Sequence, residues 1–72
     1  METEKCRVLL AVIREGSFSA AAKRLGYTPS GIMRAVNALE KEIGFPIVAR
    51  NPKGIVVTKD GERMLPSIRE FV

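Results

Sequence analysis

The sequence predicts a single, mainly α-helical domain with a small β-hairpin in its second half. Apolar residues recur at spacings of three and four through the first 43 residues, and each of those segments stops at a glycine. After residue 46 the pattern changes to two short β-prone runs that are separated by a turn sequence. The length of 72 residues suits one domain. We therefore expect three helices, a hairpin and a fourth helix, in that order.

The first helix is predicted over residues 4–15, with Thr3 as its N-cap and Gly16 at its end. Its apolar face has the spacing i, i+3, i+4 and i+7 and consists of Cys6, Leu9, Leu10 and Ile13. Cys6 is the only cysteine of the chain, and we expect a small buried hydrophobe there rather than a redox sensor.

The second helix is predicted over residues 19–25, capped by Ser19 and ended by Gly26. Its apolar stripe repeats the same spacing with Phe18, Ala21, Ala22 and Leu25. Because two of these side chains are alanines, another helix can approach this face closely. Gly26 and Tyr27 leave only a very short connection to the next helix.

The third helix is predicted to run to about Ile43 and to end at Gly44, with Thr28 as N-cap and Pro29 at the first position. Its buried stripe is formed by Ile32, Val36, Leu39 and Ile43. The opposite stripe is polar and consists of Ser30, Arg34, Asn37 and Lys41, with Met33 beside it. A helix with these two faces packs on one side and presents hydrogen-bonding groups on the other.

The hairpin is predicted from β-prone runs at residues 47–50 and 55–58, joined by Asn-Pro-Lys-Gly in a type I turn. Thr58 can then cap a fourth helix that begins near Lys59. The apolar residues of this helix are Met64, Leu65, Ile68, Phe71 and Val72. Pro66 interrupts it, so we expect a bend or a 3₁₀ turn at that residue.

Charge and composition narrow the classes of function. The formal net charge is +4, and residues 17–59 carry seven basic side chains against two acidic ones, as a polyanion-binding surface requires. The chain has one cysteine and no histidine, so a disulfide framework, a His/Cys metal site and a catalytic triad lack their residues. We expect no enzyme and no cofactor. No signal peptide or membrane-spanning run is recognisable, which predicts a cytoplasmic location without membrane binding.

The predicted order of elements is that of a winged helix-turn-helix, with the helix-turn-helix at about 18–37 and the wing at about 47–58. The first half of the third helix carries no carboxylate, as entry into the major groove of DNA requires. Arg34 can bridge to guanine or phosphate, Asn37 suits adenine, and Met33 suits a thymine methyl. Lys53 at the wing tip is placed to meet phosphate or the minor groove. Arg50 is interpreted equally as a phosphate contact or as a salt-bridge partner.

Taken singly, each of these residues is explained as a helix cap or a solvated side chain. Their combination with the short turn and the hairpin favours DNA. A third interpretation keeps the fold without DNA binding, as a protein-interaction or dimerisation module, because the fourth helix carries an apolar stripe. We also keep open the winged domain of a molybdate-responsive regulator.

The stretch EGSFSAAAKRLGYTPSGIMRAVNALEKEIG, followed by PIVARNPKGIVVTKDGERML, closely resembles the N-terminal domain of LysR-type transcriptional regulators. The resemblance covers about residues 5–72 and implies a bacterial, homodimeric DNA-binding regulator that reads dyad-related half-sites. It places on the DNA side Thr28, Pro29, Ser30, Met33, Arg34 and Asn37, to which we add Ser19, Arg50 and Lys53. Pro29 and Met33 depart from the usual Gln and Ser of the family, so its half-site preference is not carried over.

The resemblance also implies how the chain assembles. The fourth helix is expected to pair with its mate in a homodimer through Met64, Leu65, Ile68, Phe71 and Val72, and a longer parent protein could form a tetramer. We expect a winged domain over residues 1–58 and the start of a linker helix over 59–72. A small-molecule effector would bind only through a C-terminal domain, which these 72 residues do not include.

Overall fold

A computed structural model describes residues 2–72 and confirms the predicted order of elements. Within these residues the elements are α1 (Thr3–Glu15), α2 (Phe18–Leu25), α3 (Pro29–Ile43), β1 (Val48–Asn51), β2 (Gly54–Val57) and α4 (Lys59–Arg69). The two strands form one antiparallel hairpin, and the fold is mainly α-helical. Over the same residues, no helix combines the length and the apolar character that crossing a bilayer would demand.

The core lies where α1, α2 and α3 pack against one another, closed by the base of the hairpin and by α4. Its largest fully buried side chains are Leu9, Ile32, Leu39, Ile47, Ile68, Val8, Val12, Val36 and Cys6. Ala21 and Ala22 are buried, as expected for a face that other helices approach closely. Burial raises the pKa of the Cys6 thiol above its ordinary value, in keeping with a packed, unreactive side chain.

Two predicted helix caps are wrong. Ser17 rather than Ser19 caps α2: its backbone is extended, and its Oγ accepts the N–H of Ala20 at 3.0 Å. The ring of Phe18 packs against the core from the first helical position, so the helix begins one residue earlier and Ser19 lies in its first turn. Thr3 is already helical, and Glu2 occupies the cap of α1 without a side-chain hydrogen bond.

The hairpin pairs Val48 with Val57 and Asn51 with Gly54, with a two-residue loop between them. In this loop the N–H of Lys53 donates to Asn51 Oδ1 at 2.9 Å, which stabilises the tight reversal. The first strand starts one residue later than predicted and the second ends one residue earlier. Ile47 and Thr58 lie outside the strands because they form the joint between the wing and α4.

This joint fixes the base of the wing tightly. Thr58 caps α4 by accepting the N–H of Gly61 at 2.9 Å, as predicted. Its hydroxyl also donates to the carbonyl of Pro46 at 2.7 Å, and its backbone N–H donates to the carbonyl of Ile47 at 2.9 Å. A Cβ at Gly61 would overlap that same Ile47 carbonyl oxygen, so only glycine fits here.

Helix α4 runs through Pro66 without an interruption, so the 3₁₀ turn expected at this residue is not observed. Pro66 is exposed, and water can therefore satisfy the Glu62 carbonyl that the missing N–H leaves free. The tighter i→i+3 hydrogen bonds occur instead at the helix end, where Phe71 N–H donates to Ile68 at 3.1 Å.

The apolar stripe of α4 divides between the core and the surface. Leu65 and Ile68 are buried in this chain's own core, which removes them from the surface expected to pair with a second copy. Met64 is half-buried, whereas Phe71 and Val72 are 44% and 59% exposed. Dimerisation stays a prediction, and the apolar residues that remain accessible for it are the half-buried Met64 and the exposed Phe71 and Val72.

Candidate nucleic-acid interface

The exposed side of α3 carries six of the nine side chains that the sequence analysis assigns to DNA. We call this surface the reading face; it consists of Thr28, Pro29, Ser30, Met33, Arg34 and Asn37, all of which are exposed. Ile32, Val36 and Leu39 point the other way, into the core. The reading face contains no carboxylate, and α3 has no acidic residue in its first turn. It therefore offers hydrogen-bond donors and acceptors without repelling phosphate.

The first turn of α3 is built by its cap. Thr28 Oγ1 accepts the N–H of Gly31 at 3.1 Å and lies 3.3 Å from Ser30 Oγ, so this hydroxyl is already engaged. A Cβ at Gly31 would lie 3.1 Å from Thr28 Oγ1, which explains the small residue beside the cap. Thr28 thus has a structural role as the N-cap of α3, whether or not it also contacts a ligand.

The turn that leads into α3 is tied to α1 by a side chain that the sequence analysis treated only as a connector. Tyr27 donates its hydroxyl to the Glu4 carboxylate. This hydrogen bond, aided by some desolvation, raises the pKa of Tyr27. The two residues are 23 positions apart in the sequence, so no local sequence pattern predicts their contact.

Arg50 reaches from β1 to the starts of both helices of the helix-turn-helix. Its Cζ lies 4.8 Å from the ring centroid of Phe18, and its Nη2 donates to Met33 Sδ at 3.1 Å. No carboxylate lies within salt-bridge distance of Arg50 among residues 2–72. The salt-bridge interpretation of Arg50 is therefore wrong for this part of the chain, because an aromatic face and a thioether hold the guanidinium.

Glu40 is the second link between α3 and the wing, and the sequence analysis did not identify it. Its half-buried carboxylate accepts the N–H groups of Ile47 at 2.6 Å and Val48 at 3.1 Å. These donors lie just before and at the start of β1, where strand pairing leaves them free. Glu40 is thus a structural acid of the wing base, one helical turn beyond Asn37, the last residue of the reading face.

The wing tip rests against the turn between α1 and α2. Gly54 has φ 135°, and a Cβ there would lie 2.8 Å from the carbonyl oxygen of Gly16. A shallow cavity of about 210 Å³ lies at this junction, and Ser19 and Arg50 are among its lining residues. Lys53 stands exposed at the tip. Ser19 and Arg50 thus share one junction, and Lys53 extends beyond it.

The ion pairs of the described residues are confined to the α1 side of the molecule. All four ion pairs found among residues 2–72 include a side chain of α1 or its cap: Lys5–Glu2, Lys5–Glu42, Arg7–Glu4 and Arg14–Glu15. Over the same residues, Arg34 and Lys53 have no carboxylate within 4.0 Å. The positive charge of the reading face and the wing is therefore not neutralised from within the chain.

Comparison with known proteins finds the same arrangement in one family. The family model described as "Bacterial regulatory helix-turn-helix protein, lysR family" matches residues 3–62. The probable transcriptional regulator LrrA of Synechococcus elongatus is 40% identical over 65 residues, covering 90% of this chain and 22% of LrrA. The regulator CzcR of Bacillus cereus is 31% identical over 72 residues, covering all of this chain and 25% of CzcR. The chain thus spans a quarter or less of the length of these curated relatives.

Among solved structures, the DNA-binding domain of CbnR in complex with DNA superposes with a TM-score of 0.89 and 34% identity. The match covers 97% of this chain and 80% of that domain. The resemblance stated from the sequence is thereby confirmed by the family model, by the curated relatives and by the fold. This chain belongs to the LysR family of bacterial regulatory helix-turn-helix proteins.

Proposed function

We propose that this chain is the DNA-reading domain of a bacterial transcriptional regulator and that it binds double-stranded DNA sequence-specifically through α3. The reading face carries this proposal: it is exposed, free of carboxylates, and flanked by cations that no acidic side chain of residues 2–72 neutralises. The likeness to CbnR supports it, because that domain was solved with DNA. The chain has no role as an enzyme in this proposal.

Each side chain of the reading face has a role that follows from its chemistry. Arg34 pairs with guanine or phosphate, Asn37 forms its paired hydrogen bonds with adenine, and Met33 contacts a thymine methyl. Pro29 and Ser30 present the first turn of α3, whose N–H groups favour phosphate. Ser19 contacts phosphate from the first turn of α2, and Lys53 meets phosphate or the minor groove from the wing.

The proposed active form is a homodimer in the cytoplasm. A winged domain of residues 1–58 reads the DNA, and residues 59–72 begin a linker helix that pairs with its mate. Two reading faces then meet dyad-related half-sites about one helical turn, ~34 Å, apart. Met64, Phe71 and Val72 supply apolar surface for this pairing. Tetramers and effector binding belong to the longer parent protein that the lengths of the relatives suggest.

Selection of bound duplexes from a random pool tests this function. We expect an enriched motif with dyad symmetry, and we expect an Arg34→Ala variant to lose the enrichment. A pool that stays random, together with no association with any duplex at low salt, would overturn DNA reading by this chain.

A docking or dimerisation module without DNA binding is the second candidate. The observation that favours it is a groove of about 540 Å³ between α1 and the end of α4, lined by Leu10, Ile13, Arg14, Arg69 and Val72. Such a module would self-associate or bind protein while ignoring DNA in the same experiment. The parent we considered from the molybdate-responsive class is disfavoured by the lysR family match over residues 3–62.

A further inference from the structure

Two side chains, Glu40 and Arg50, link α3 to the wing, and their hydrogen bonds lie at separate points along β1. Near the start of the strand, the Glu40 carboxylate accepts the N–H groups of Ile47 and Val48. Two residues beyond Val48, Arg50 donates to Met33 in the second turn of α3. One contact alone would allow the strand to pivot against the helix. Two contacts at separate points also set its angle.

The contact made by Arg50 differs from the one made by Glu40 in its exposure. Met33 is 37% exposed on the reading face, and Arg50 is exposed as well. The guanidinium also lies over the ring of Phe18, at the first position of α2. One planar cation therefore touches α2 and α3, the two helices of the helix-turn-helix, from its own place on the wing. A lysine cannot reproduce this geometry, because its ammonium is a compact charge without a planar face.

Lys53 depends on this arrangement for its position. It lies three residues beyond Arg50, at the tip of a loop of only two residues. The angle of β1 against α3 therefore fixes how far Lys53 stands from Arg34 and Asn37. On a duplex, that separation decides whether the wing and the reading face can make their contacts at the same time.

We propose that Arg50 is a positioning residue that couples the wing to the recognition helix: by stacking on Phe18 and bonding to Met33, it fixes the distance between Lys53 and the reading face. This role is additional to the charge that Arg50 carries. Through this role, the contacts of Arg50 with Phe18 and Met33 determine part of the selectivity for the target duplex. The inference rests on the DNA-binding function proposed above.

An Arg50→Lys variant separates position from charge. Selectivity is measured as the ratio of the Kd for random duplex to the Kd for the selected duplex, together with the salt dependence of each Kd. We expect selectivity to fall roughly fivefold while the slope of log K against log salt stays at the wild-type value, because the charge is retained. Arg63→Lys, an exposed change on α4, serves as the matched control and should leave both quantities unchanged.

A coupling measurement completes the test. Lys53→Ala is measured in the wild-type and in the Arg50→Lys background, and we expect its effect on Kd to shrink severalfold in the second. Met33→Leu keeps an apolar side chain on the reading face but removes the sulfur that Arg50 contacts, and we expect it likewise to shrink the effect of Lys53→Ala on Kd. This variant carries the test should Arg50→Lys fail to fold.

The possible outcomes are distinct. Wild-type-like selectivity in Arg50→Lys, with a Lys53→Ala effect that stays fully additive in both the Arg50→Lys and the Met33→Leu backgrounds, would overturn the positioning role while leaving DNA binding intact. Absence of duplex binding by the unmodified chain would instead overturn the proposed function itself. In the free protein, a shift of the Met33 methyl resonance in Arg50→Lys checks the contact independently of DNA.

Discussion

The α1 side and the wing side of this small domain differ in whether their basic side chains have acidic partners. On α1, Lys5, Arg7 and Arg14 each lie within 4.0 Å of a carboxylate. On the wing side, Arg34 and Lys53 have no such partner among residues 2–72, and Arg50 is held by Phe18 and Met33. A net charge of +4 is unremarkable by itself. The unpaired cations that lie beside a reading face without carboxylates are what indicate a surface for a polyanion.

Raising the salt concentration should give the largest difference between the two sides, because it should weaken DNA binding strongly but change stability little. If Arg34, Arg50 and Lys53 of two protomers meet phosphate, about six contacts give a slope of log K against log salt near −5. Affinity for the target then falls roughly a thousandfold between about 50 and 200 mM salt. The unfolding free energy should barely change over this range, because exposed ion pairs like those of α1 contribute little. Titrations and denaturation curves in the same buffers measure both; a salt-independent Kd would contradict the comparison.

Removing one cation from each side gives the next largest difference. Arg34→Ala should weaken specific binding by roughly 1–3 kcal/mol, because a contact to guanine or phosphate is lost. Arg7→Ala removes an exposed arginine that pairs with Glu4 on α1, and should change binding by less than about 0.5 kcal/mol. Binding isotherms on the selected duplex decide between them. Equal losses would mean that general charge, rather than the reading face, controls affinity.

Two acidic residues of α3, Glu40 on the wing side and Glu42 on the α1 side, should differ in their contribution to the unfolding free energy. Glu40→Ala should cost roughly 1–3 kcal/mol of unfolding free energy, because the N–H groups of Ile47 and Val48 lose their acceptor. Glu42→Ala removes only a 3.9 Å pair with Lys5, worth less than about 1 kcal/mol. Chemical denaturation of the two variants measures the difference. A stable Glu40→Ala variant would show that the wing base does not depend on this carboxylate.

Alkaline pH should produce the smallest effect, and on the α1 side. The pKa of Tyr27 is raised in the folded state, so its contribution to stability is complete below the ordinary value of 10.0 and is lost as pH rises through the raised pKa. Buried Cys6, whose ordinary value is 9.0, acts in the same direction. Tyr27→Phe should therefore lose less stability than the parent between pH 9 and 11 in thermal melts. An identical loss of stability with rising pH in both proteins would show that Tyr27 does not cause the alkaline destabilisation.

Local features made most of the fold predictable from sequence. Thr28, Pro29 and Gly44 mark the two ends of α3 by chemistry that acts within one turn, and the structure has this helix as predicted. The periodic apolar face of α2 likewise predicted its buried alanines, Ala21 and Ala22. On α1 the prediction was only partly right: Cys6 and Leu9 are buried, Leu10 and Ile13 are half-buried, and the buried Val8, Ala11 and Val12 were not predicted. The exposed set on α3 followed from the same periodicity, since whatever does not face the core faces solvent.

The interactions that sequence reasoning missed join residues from different elements. Phe18, Met33 and Arg50 meet only because the hairpin folds back over the helix-turn-helix. Glu40 looked like an ordinary surface acid, since nothing local shows that two strand amides lack partners. The stripe of α4 predicted apolar contact but not its partner, and the core of the same chain takes Leu65 and Ile68.

The joint between the wing and α4 also determines which sequences this fold can accept. Position 61 admits hydrogen alone, since any side chain would meet the carbonyl of Ile47. Pro66, exposed on the same helix, is open to replacement. Random mutagenesis followed by selection for DNA binding would thus mark Gly61 as strictly as Arg34. Intolerance at Gly61 would come from packing against Ile47 rather than from contact with DNA, so a map of mutational sensitivity is not by itself a map of the interface.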